Sequence, residues 1–519
     1  MDWSAIGMAF TQTFDPINIF YVILGVVGGI AVGALPGMTS VMLLAIILPF
    51  TYTMNPVGAV ILLVGICSGA NYGGGITAIL FNTPGTPSAA ATALDGYPMS
   101  RQGRGGEALL ANIFSSFIGG CIAWLIMTLA TPLISKFALL FGPCEYAMLL
   151  IWSLTIIGML TGGDAVKGII AGVVGLALST IGMEPYAGKV RYTMGLFELF
   201  EGIDVVWASI GLFALLQVLK YVPMKSNAIS ATNGEKISYP VMKTLKLVLK
   251  KKWLVFKSAV IGTFIGAAPG AGPVIASFLA YGEAKRSSEH PETFGKGNVE
   301  GVIASEAANN ACGFGSMIPM LALGIPGSTA SALTLAAMIV VGLTPGPEFF
   351  TKHAVEAYTI FGGGMLSNVV FLFFGLFFAK YCTKLLNVKV AYLIPLITML
   401  ATIGVYAPDQ SVFGMYTAFA FCVLGLCMDW LGFPIMPLLL GLILGGIMES
   451  HFVRAMIMTR KNIGAIFFYS PICTILTIIT IITILSVILR SNPKFKNRLF
   501  FWKKNQAGKP QQQLPEDEP

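Results

Sequence analysis

Long apolar segments alternate with short polar loops over most of the chain. Segments of about 20 residues are long enough to cross the roughly 30 Å hydrocarbon core of a bilayer as α-helices. We place apolar segments at 17–33, 38–50, 57–81, 108–133, 137–160, 166–183, 196–219, 253–281, 358–378, 392–406, 412–427, 435–447 and 463–489. The pattern predicts an all-α polytopic membrane protein with about ten to twelve transmembrane helices.

Four Pro-Gly pairs interrupt this apolar pattern. Proline removes a backbone donor and glycine adds conformational freedom, so each pair predicts the end of a helix. In lipid, non-helical backbone is tolerated only where it is buried in protein or lines a wet cavity. The sequence therefore predicts broken or re-entrant helices around an internal site, at Pro36 and Gly37, Pro84 and Gly85, Pro269 and Gly270, and Pro326 and Gly327.

The four breaks form two copies of one motif. The first copy contains GALPG and NTPGTPS, and the second contains GAAPG and GIPGST in the same order. A basic loop with Arg101 and Arg104 follows the second break of the first copy, whereas Lys285, Arg286 and Lys296 follow the first break of the second copy. Because Lys and Arg favour cytoplasmic loops, this exchange predicts two inverted repeats, which are typical of secondary transporters.

Charge also divides the chain into regions. We predict an extracytoplasmic N-terminus at 1–16, a first membrane half at 17–219, a basic cytoplasmic linker at 220–252, a second membrane half at 253–489, and a basic and then disordered cytoplasmic tail at 490–519. An interfacial amphipathic helix is the alternative for the linker. The first residues show neither a basic n-region nor a cleavage site, so we expect the first span to be retained.

Composition excludes several classes of protein. The 519 residues are 55% hydrophobic and 11% charged, with a mean hydropathy of +0.79, which is far from the composition of a soluble domain. The net charge of +8 lies in short loops, so it predicts topology rather than nucleic-acid binding. The eight cysteines form no CxxC pair, and none of the three histidines is paired with a carboxylate or a cysteine at ligand spacing, so we predict no metal centre and no cofactor.

Hydroxyl residues follow the later break of each copy. Thr86 and Ser88, and then Ser328 and Thr329, are placed to cap new helices. A helix that begins there presents free N–H groups and a positive dipole end, which suit a carboxylate. An ordinary capped kink is the alternative. The predicted substrate-binding residues are Pro36, Gly37, Asn71, Tyr72, Asn82, Thr83, Pro84, Gly85, Thr86, Ser88, Pro269, Gly270, Pro326, Gly327, Ser328 and Thr329.

A carboxylate within an apolar segment is a candidate for a functional residue. Glu306 occupies such a position, although its closeness to a loop leaves an interfacial location open. Oxygen ligands would suit a sodium ion, whereas proton coupling needs a titratable group such as Glu306. The predicted coupling-ion residues are Thr39, Ser40, Glu306, Asn309 and Asn310.

Several longer motifs resemble those of the large permease subunit of tripartite tricarboxylate transporters, the TctA family. They are GALPGMTSVMLLAIILPFTY, YGGGITAILFNTPGTPSAAATALDGYPMSRQGRGGEAL, EAANNA, LGIPGSTASAL and GFPIMPLLLGLILGGIMESHFVRA, which together span nearly the whole chain. The family motif falls on Gly33, Pro36, Gly37, Tyr72, Gly73, Gly74, Asn82, Pro84, Gly85, Thr86, Pro87, Pro269, Gly270, Pro326 and Gly327. Gly75 departs from it, because many relatives carry a polar side chain at that position.

This resemblance implies a multi-pass secondary transporter of the bacterial inner membrane. It would work with a small transmembrane subunit (TctB-like) and a periplasmic solute-binding protein (TctC-like), and take up tricarboxylates or other organic carboxylates with sodium ions or protons. Together with the inverted repeats, it predicts alternating access and no enzymatic activity.

Two alternatives stay open. An intramembrane hydrolase would need a base beside a serine, and the chain has no GxSxG or HExxH pattern. A passive anion channel would show flux without a coupling ion.

Overall fold

A computed structural model describes residues 3–491, except for 36–37, 161–163, 185, 187, 222–238, 386–389 and 409. These residues are almost wholly helical, and the two strands are two residues long each. Six of the described helices are long and apolar enough to cross a membrane, and seven shorter apolar helical stretches accompany them. The prediction of an all-α polytopic membrane protein is therefore confirmed.

The part of the chain before the basic linker contains ten α-helices within its described residues. They are α1 (Trp3–Thr13), α2 (Pro16–Gly33), α3 (Ser40–Ile47), α4 (Pro56–Phe81), α5 (Ala90–Met99), α6 (Gly105–Ala138), α7 (Pro143–Leu160), α8 (Ala165–Ser179), α9 (Val205–Ser209) and α10 (Leu216–Tyr221). Short 3₁₀ segments cover Leu48–Thr53, Pro87–Ala89 and Phe197–Leu199, and π-helical segments cover Ser100–Arg104 and Ile210–Leu215. Strands β1 (Gly182–Met183) and β2 (Val190–Arg191) pair antiparallel.

The remaining described residues add twelve α-helices. They are α11 (Val241–Lys250), α12 (Lys252–Ala267), α13 (Gly272–Ser287), α14 (Val299–Leu323), α15 (Thr329–Val340), α16 (Phe349–Lys352), α17 (Ala354–Leu385), α18 (Val390–Tyr406), α19 (Val412–Trp430), α20 (Ile435–Met458), α21 (Ile463–Phe467) and α22 (Pro471–Ser491). A 3₁₀ turn covers Pro291–Thr293.

Small residues bring α2 and α4 into close contact. A Cβ atom at Gly25, Gly29 or Gly33 would lie 2.3 to 2.4 Å from a carbonyl oxygen of α4. The same relation joins α12 to α14, where Cβ atoms at Gly262 and Gly266 would lie 2.3 and 2.4 Å from carbonyl oxygens of α14. Each pair therefore uses the small-xxx-small packing that lets membrane helices approach closely.

The core of the molecule lies around α4 and α14, whose residues are nearly all buried. Helix α6 packs on α14 and α17 packs on α4. A Cβ at Gly119 of α6 would lie 2.5 Å from the carbonyl oxygen of Ala307, and the Tyr72 hydroxyl donates to the carbonyl oxygen of Gly375 in α17 at 3.0 Å. Each central helix thus contacts helices from both halves of the sequence.

Two apolar segments and the end of the basic linker show structure that the predicted boundaries did not include. Segment 38–50 forms only the eight-residue α3 before Leu48–Thr53 continues as a 3₁₀ helix that contains Pro49. Segment 463–489 divides into α21 and α22, because Pro471 begins a new helix. The described end of the linker forms α11, which buries Thr244 and Val248 and exposes Met242, while residues 222–238 lie outside the described residues.

Candidate functional site

The chain turns back sharply after α4. Asn82 ends this helix in the left-handed conformation (φ 55°), and the N–H of Gly85 then donates to the carbonyl oxygen of Gly74 at 3.2 Å. A Cβ at Gly85 would lie 2.0 Å from the carbonyl oxygen of Gly33 and 2.9 Å from the Cα of Gly74. The glycines at these positions therefore allow the backbone after the break to lie against α2 and α4.

The chain after α14 repeats this geometry. Gly324 ends α14 in the left-handed conformation (φ 73°), and the N–H of Gly327 donates to the carbonyl oxygen of Ser316 at 3.3 Å. A Cβ at Gly327 would lie 2.2 Å from the carbonyl oxygen of Gly266. The two copies therefore share their local backbone contacts as well as their sequence motif.

The chain forms a cavity of about 370 Å³ between these two broken regions, which we call the central cavity. Apolar side chains form much of its wall, including Val64, Leu212, Phe213, Phe314, Met317 and Ile435. Its polar lining includes Thr39, Ser40, Ser68, Asn71, Thr86, Ser88, Gln217, Lys220, Asn310, Ser316, Ser328, Thr329, Ser331 and Thr334. A mostly apolar pocket with a few convergent polar groups is typical of a small-molecule site.

Four helices begin at the central cavity. Thr39 caps α3 by accepting a hydrogen bond from the N–H of Met42 at 3.2 Å, and Ser328 caps α15 in the same way through the N–H of Ser331 at 3.2 Å. Pro273 contributes the start of α13 to the lining, and Thr86 precedes the 3₁₀ turn that leads into α5. The first N–H groups of a helix have no intrahelical partner and carry a partial positive charge, so this arrangement suits an anion.

The middles of α4 and α14 add hydrogen-bonding side chains. Ser68 and Asn71 come from α4, and Asn310 and Ser316 come from α14. Asn310 is 4% exposed, and its Nδ2 has no hydrogen-bond partner among the described residues. An unsatisfied buried donor is costly, and a bound carboxylate would satisfy it.

Lys220 was missed as a site residue, because the sequence prediction assigned it to the linker. It belongs to α10 and is the charged residue of the described cavity lining. Its Nζ lies 2.7 Å from Oδ1 of Asp429, and its side chain is 33% exposed. Only its position at the end of an apolar segment could have indicated its place beside the cavity.

Eight of the predicted site residues line the central cavity: Thr39, Ser40, Asn71, Thr86, Ser88, Asn310, Ser328 and Thr329. The lining does not include Tyr72, whose ring packs on Phe371 with centroids 5.2 Å apart. The other described members of the predicted substrate set, Asn82, Thr83, Pro84, Gly85, Pro269, Gly270, Pro326 and Gly327, form the breaks behind it. Pro36 and Gly37 lie outside the described residues.

Glu306 and Asn309 lie in a second polar cluster outside the cavity lining. The carboxylate of Glu306 accepts a hydrogen bond from the Thr92 hydroxyl at 2.6 Å and contacts the Ser116 hydroxyl at 3.4 Å. Nδ2 of Asn309 lies 3.5 Å from the same carboxylate. Glu306 is fully buried within the protein.

Comparisons with known proteins agree with this architecture. The model of the tripartite tricarboxylate transporter TctA family matches residues 19–440. An uncharacterized 52.8 kDa protein in the TAR-I ttuC' 3' region of Agrobacterium vitis is 35% identical over 503 residues, which cover 96% of this chain and 98% of the relative. An uncharacterized protein in the TAR-II ttuC' 3' region of the same organism is 36% identical over 215 residues, which cover 41% of this chain and 88% of that protein.

No solved structure shows significant similarity to this chain. The family match nevertheless covers both broken-helix copies, the central cavity and the helices that pack around them. The chain therefore belongs to the TctA family, the large membrane subunits of tripartite tricarboxylate transporters.

Proposed function

We propose that this chain takes up tricarboxylates or other organic carboxylates by alternating access, driven by a sodium or proton gradient. The observation that carries the proposal is the meeting of four helix N-termini at the central cavity. Their N–H groups can bind several carboxylate oxygens without a fixed cation at each one. Lys220 adds one positive charge at the wall of the same cavity.

The size and composition of the central cavity support a small anion. A volume of about 370 Å³ falls in the range of pockets that bind small molecules. The unpartnered Nδ2 of Asn310 and the hydroxyl of Ser88 can donate hydrogen bonds to carboxylate oxygens. The apolar wall excludes water and strengthens these bonds.

Alternating access is supported by the way in which both copies contribute to the cavity. Helices α3 and α5 come from the first copy, and α13 and α15 come from the second. If the copies have opposite orientations, as the basic loops predict, movement of one against the other would open the cavity first to one side of the membrane and then to the other.

Membership of a tripartite family supports two partners and a location. We propose that the chain works in the bacterial inner membrane with a small TctB-like membrane subunit and a periplasmic TctC-like solute-binding protein. The solute-binding protein would deliver the anion to the outward-facing cavity.

Uptake into proteoliposomes tests this function. The chain would be reconstituted with its small subunit, and labelled citrate, malate and succinate would be offered with and without the binding protein. Accumulation above the outside concentration under a sodium or pH gradient is expected for at least one anion. Flux that only equilibrates the anion, whichever gradient is imposed, would contradict coupled transport and indicate a passive channel.

A further inference from the structure

We propose that Glu306 is the proton-binding group of this transporter, so that carboxylate uptake is coupled to protons through a carboxyl outside the central cavity. This inference rests on the proposed function and assigns its coupling ion. Glu306 lies about two turns into α14, in the second copy, and contacts α5 and α6 from the first half of the chain.

The surroundings of this carboxyl are polar but neutral. Its hydrogen-bonding neighbours are the hydroxyls of Thr92 and Ser116 and the amide of Asn309. The residue is 0% exposed. A fully buried carboxylate among neutral groups is costly within a membrane protein, and binding of a proton removes that cost.

The cluster has a hydrogen-bonding group for each protonation state. Nδ2 of Asn112 is a buried donor without a partner, and Oδ1 of Asn309 is a buried acceptor without a partner, among the described residues. An ionised carboxylate can accept from the Asn112 amide, whereas a protonated carboxyl can donate to an amide oxygen such as that of Asn309. The cluster therefore contains a donor for the ionised state and, once the Asn309 amide turns its oxygen toward Glu306, an acceptor for the protonated state.

Close packing at Gly75 favours a proton over a metal ion. A Cβ at Gly75 would lie 2.3 Å from Nδ2 of Asn112 and 2.7 Å from Oε1 of Glu306. The amide and the carboxylate thus occupy the space that a side chain at position 75 would need. Hard cations require a shell of several oxygen ligands, whereas a proton requires no added volume.

Most charged groups on the surrounding helices have partners of their own, and Lys136 lies near the end of α6. Helices α4 and α15 carry no charged residue. Asp95 of α5 accepts hydrogen bonds from Tyr281 of α13 and from three backbone N–H groups. The ion pairs on the other helices are Glu107 with Arg104, Glu300 with Lys251, and Glu283 with Lys257 and Arg286. Lys252 and Lys285 lie at the ends of α12 and α13.

Two contacts connect the carboxyl with the central cavity. Thr92 lies on α5, and the turn that precedes this helix lines the cavity. Nδ2 of Asn309 lies 3.5 Å from the backbone oxygen of Asn71, whose side chain is part of the lining. Protonation of Glu306 therefore changes a contact between α5 and α14, which belong to different copies.

The proton balance of the cycle is simple. Glu306 takes up one proton from the outer solution, and an O–H bond forms on its carboxyl. After the cavity opens to the inside, the proton leaves to water and the carboxylate is restored. The transported anion is chemically unchanged.

Two transport measurements test the assignment of Glu306. One is citrate uptake driven by a pH gradient, and the other is citrate exchange at equal pH. The tripartite complex in proteoliposomes would be given labelled citrate under an outward-acid pH gradient, without a sodium gradient. Exchange of internal for external citrate at equal pH needs no net proton movement. Wild-type protein is expected to do both, whereas Glu306→Gln is expected to lose pH-driven accumulation by about tenfold or more and to retain exchange.

A matched control and a second variant sharpen the test. Glu107→Gln, at an ion-paired glutamate of α6, is expected to leave pH-driven accumulation unchanged. Glu306→Asp, which keeps a titratable group, is expected to restore part of the accumulation. Wild-type levels of pH-driven uptake in Glu306→Gln would overturn the assignment, as would wild-type accumulation under a sodium gradient alone.

A binding measurement on wild-type protein avoids dependence on a variant that folds poorly. Citrate added to the complex in weakly buffered detergent solution with a pH dye is expected to cause proton uptake beyond that of citrate alone. Citrate binding without proton uptake would overturn the assignment. Absence of citrate, malate and succinate exchange in the wild type would instead contradict the proposed function, so the two failures are distinguishable.

Discussion

The backbone N–H of Gly270 donates a 3.1 Å hydrogen bond to the carbonyl oxygen of Gly327. This bond joins the two broken elements of the second copy directly. Because the N–H of Gly327 also donates to Ser316 in α14, one glycine connects three segments at the back of the central cavity. Backbone contacts therefore hold the helix N-termini in place.

The variant Gly327→Ala tests the close approach of Gly327 to Gly266. In Gly327→Ala the new Cβ would lie 2.2 Å from the carbonyl oxygen of Gly266, and we expect a loss of about 1–3 kcal/mol of stability together with most of the transport. Gly282→Ala is the control, because a Cβ there meets nothing within 4 Å. Thermal unfolding and labelled uptake measure both effects. Equal unfolding temperatures and equal uptake in Gly327→Ala and Gly282→Ala would show that the close approach of Gly327 to Gly266 is not needed for stability or transport.

Asn310 provides a test of anion recognition. Asn310→Asp replaces an unpartnered donor at the cavity with a carboxylate, so repulsion is expected to weaken citrate binding by about tenfold or more. Asn462→Asp is the control, at an exposed asparagine that caps α21 outside the cavity lining, and is expected to leave citrate affinity unchanged. Binding of citrate by the purified complex would be measured by calorimetry. Unchanged affinity in Asn310→Asp would remove this residue from the site.

The positive charge of Lys220 is expected to attract the transported anion over a long range. Lys220→Gln removes the positive charge at the cavity wall, and we expect about a threefold to tenfold higher half-saturating anion concentration, with a smaller effect at high salt. Asp429→Asn removes the carboxylate that pairs with Lys220 and is expected to lower that concentration. Uptake kinetics at two ionic strengths measure both. If the half-saturating anion concentration changed in the same direction in both variants, the ion pair between Lys220 and Asp429, rather than the positive charge of Lys220, would determine anion affinity.

Asp95 is expected to fix the loop before α14. Its Oδ1 accepts hydrogen bonds from the backbone N–H groups of Gly295, Gly297 and Asn298 at 2.8 to 2.9 Å. In Asp95→Asn we expect these bonds to weaken by about 1.5–3 kcal/mol in total, because a neutral acceptor replaces a charged one. Hydrogen exchange of the three amides measures the effect.

The control for Asp95 lies in the same loop. Glu292 has an exposed carboxylate 3.5 Å from His290, so Glu292→Gln is expected to leave the exchange of these amides unchanged. Equal protection in wild type and Asp95→Asn would contradict a structural role for this carboxylate.

Local chemistry explains which parts of the site could be predicted from the sequence. Pro84 and Gly85 mark a break because a Pro-Gly pair cannot continue a helix, and Ser328 caps the next helix as its residue type indicates. The apolar pattern likewise placed α2 and α4 within one residue of their observed boundaries.

Contacts between distant segments explain what was missed. Thr92 and Ser116 meet Glu306 only because α5 and α6 pack on α14. Tyr72 lies on α4 as expected, but its direction toward Gly375 depends on the position of α17. Periodicity places a residue on a helix, whereas the helix packing decides which groups it contacts.

We propose that a carboxylate binds between the two broken copies. A cryo-electron microscopy map of the tripartite complex with saturating citrate would show where the anion lies. Citrate density is expected in the central cavity, with its carboxylates near the N–H groups that follow Ser328 and near Nδ2 of Asn310. Citrate density elsewhere in the membrane subunit, with this cavity empty or filled by lipid, would contradict it.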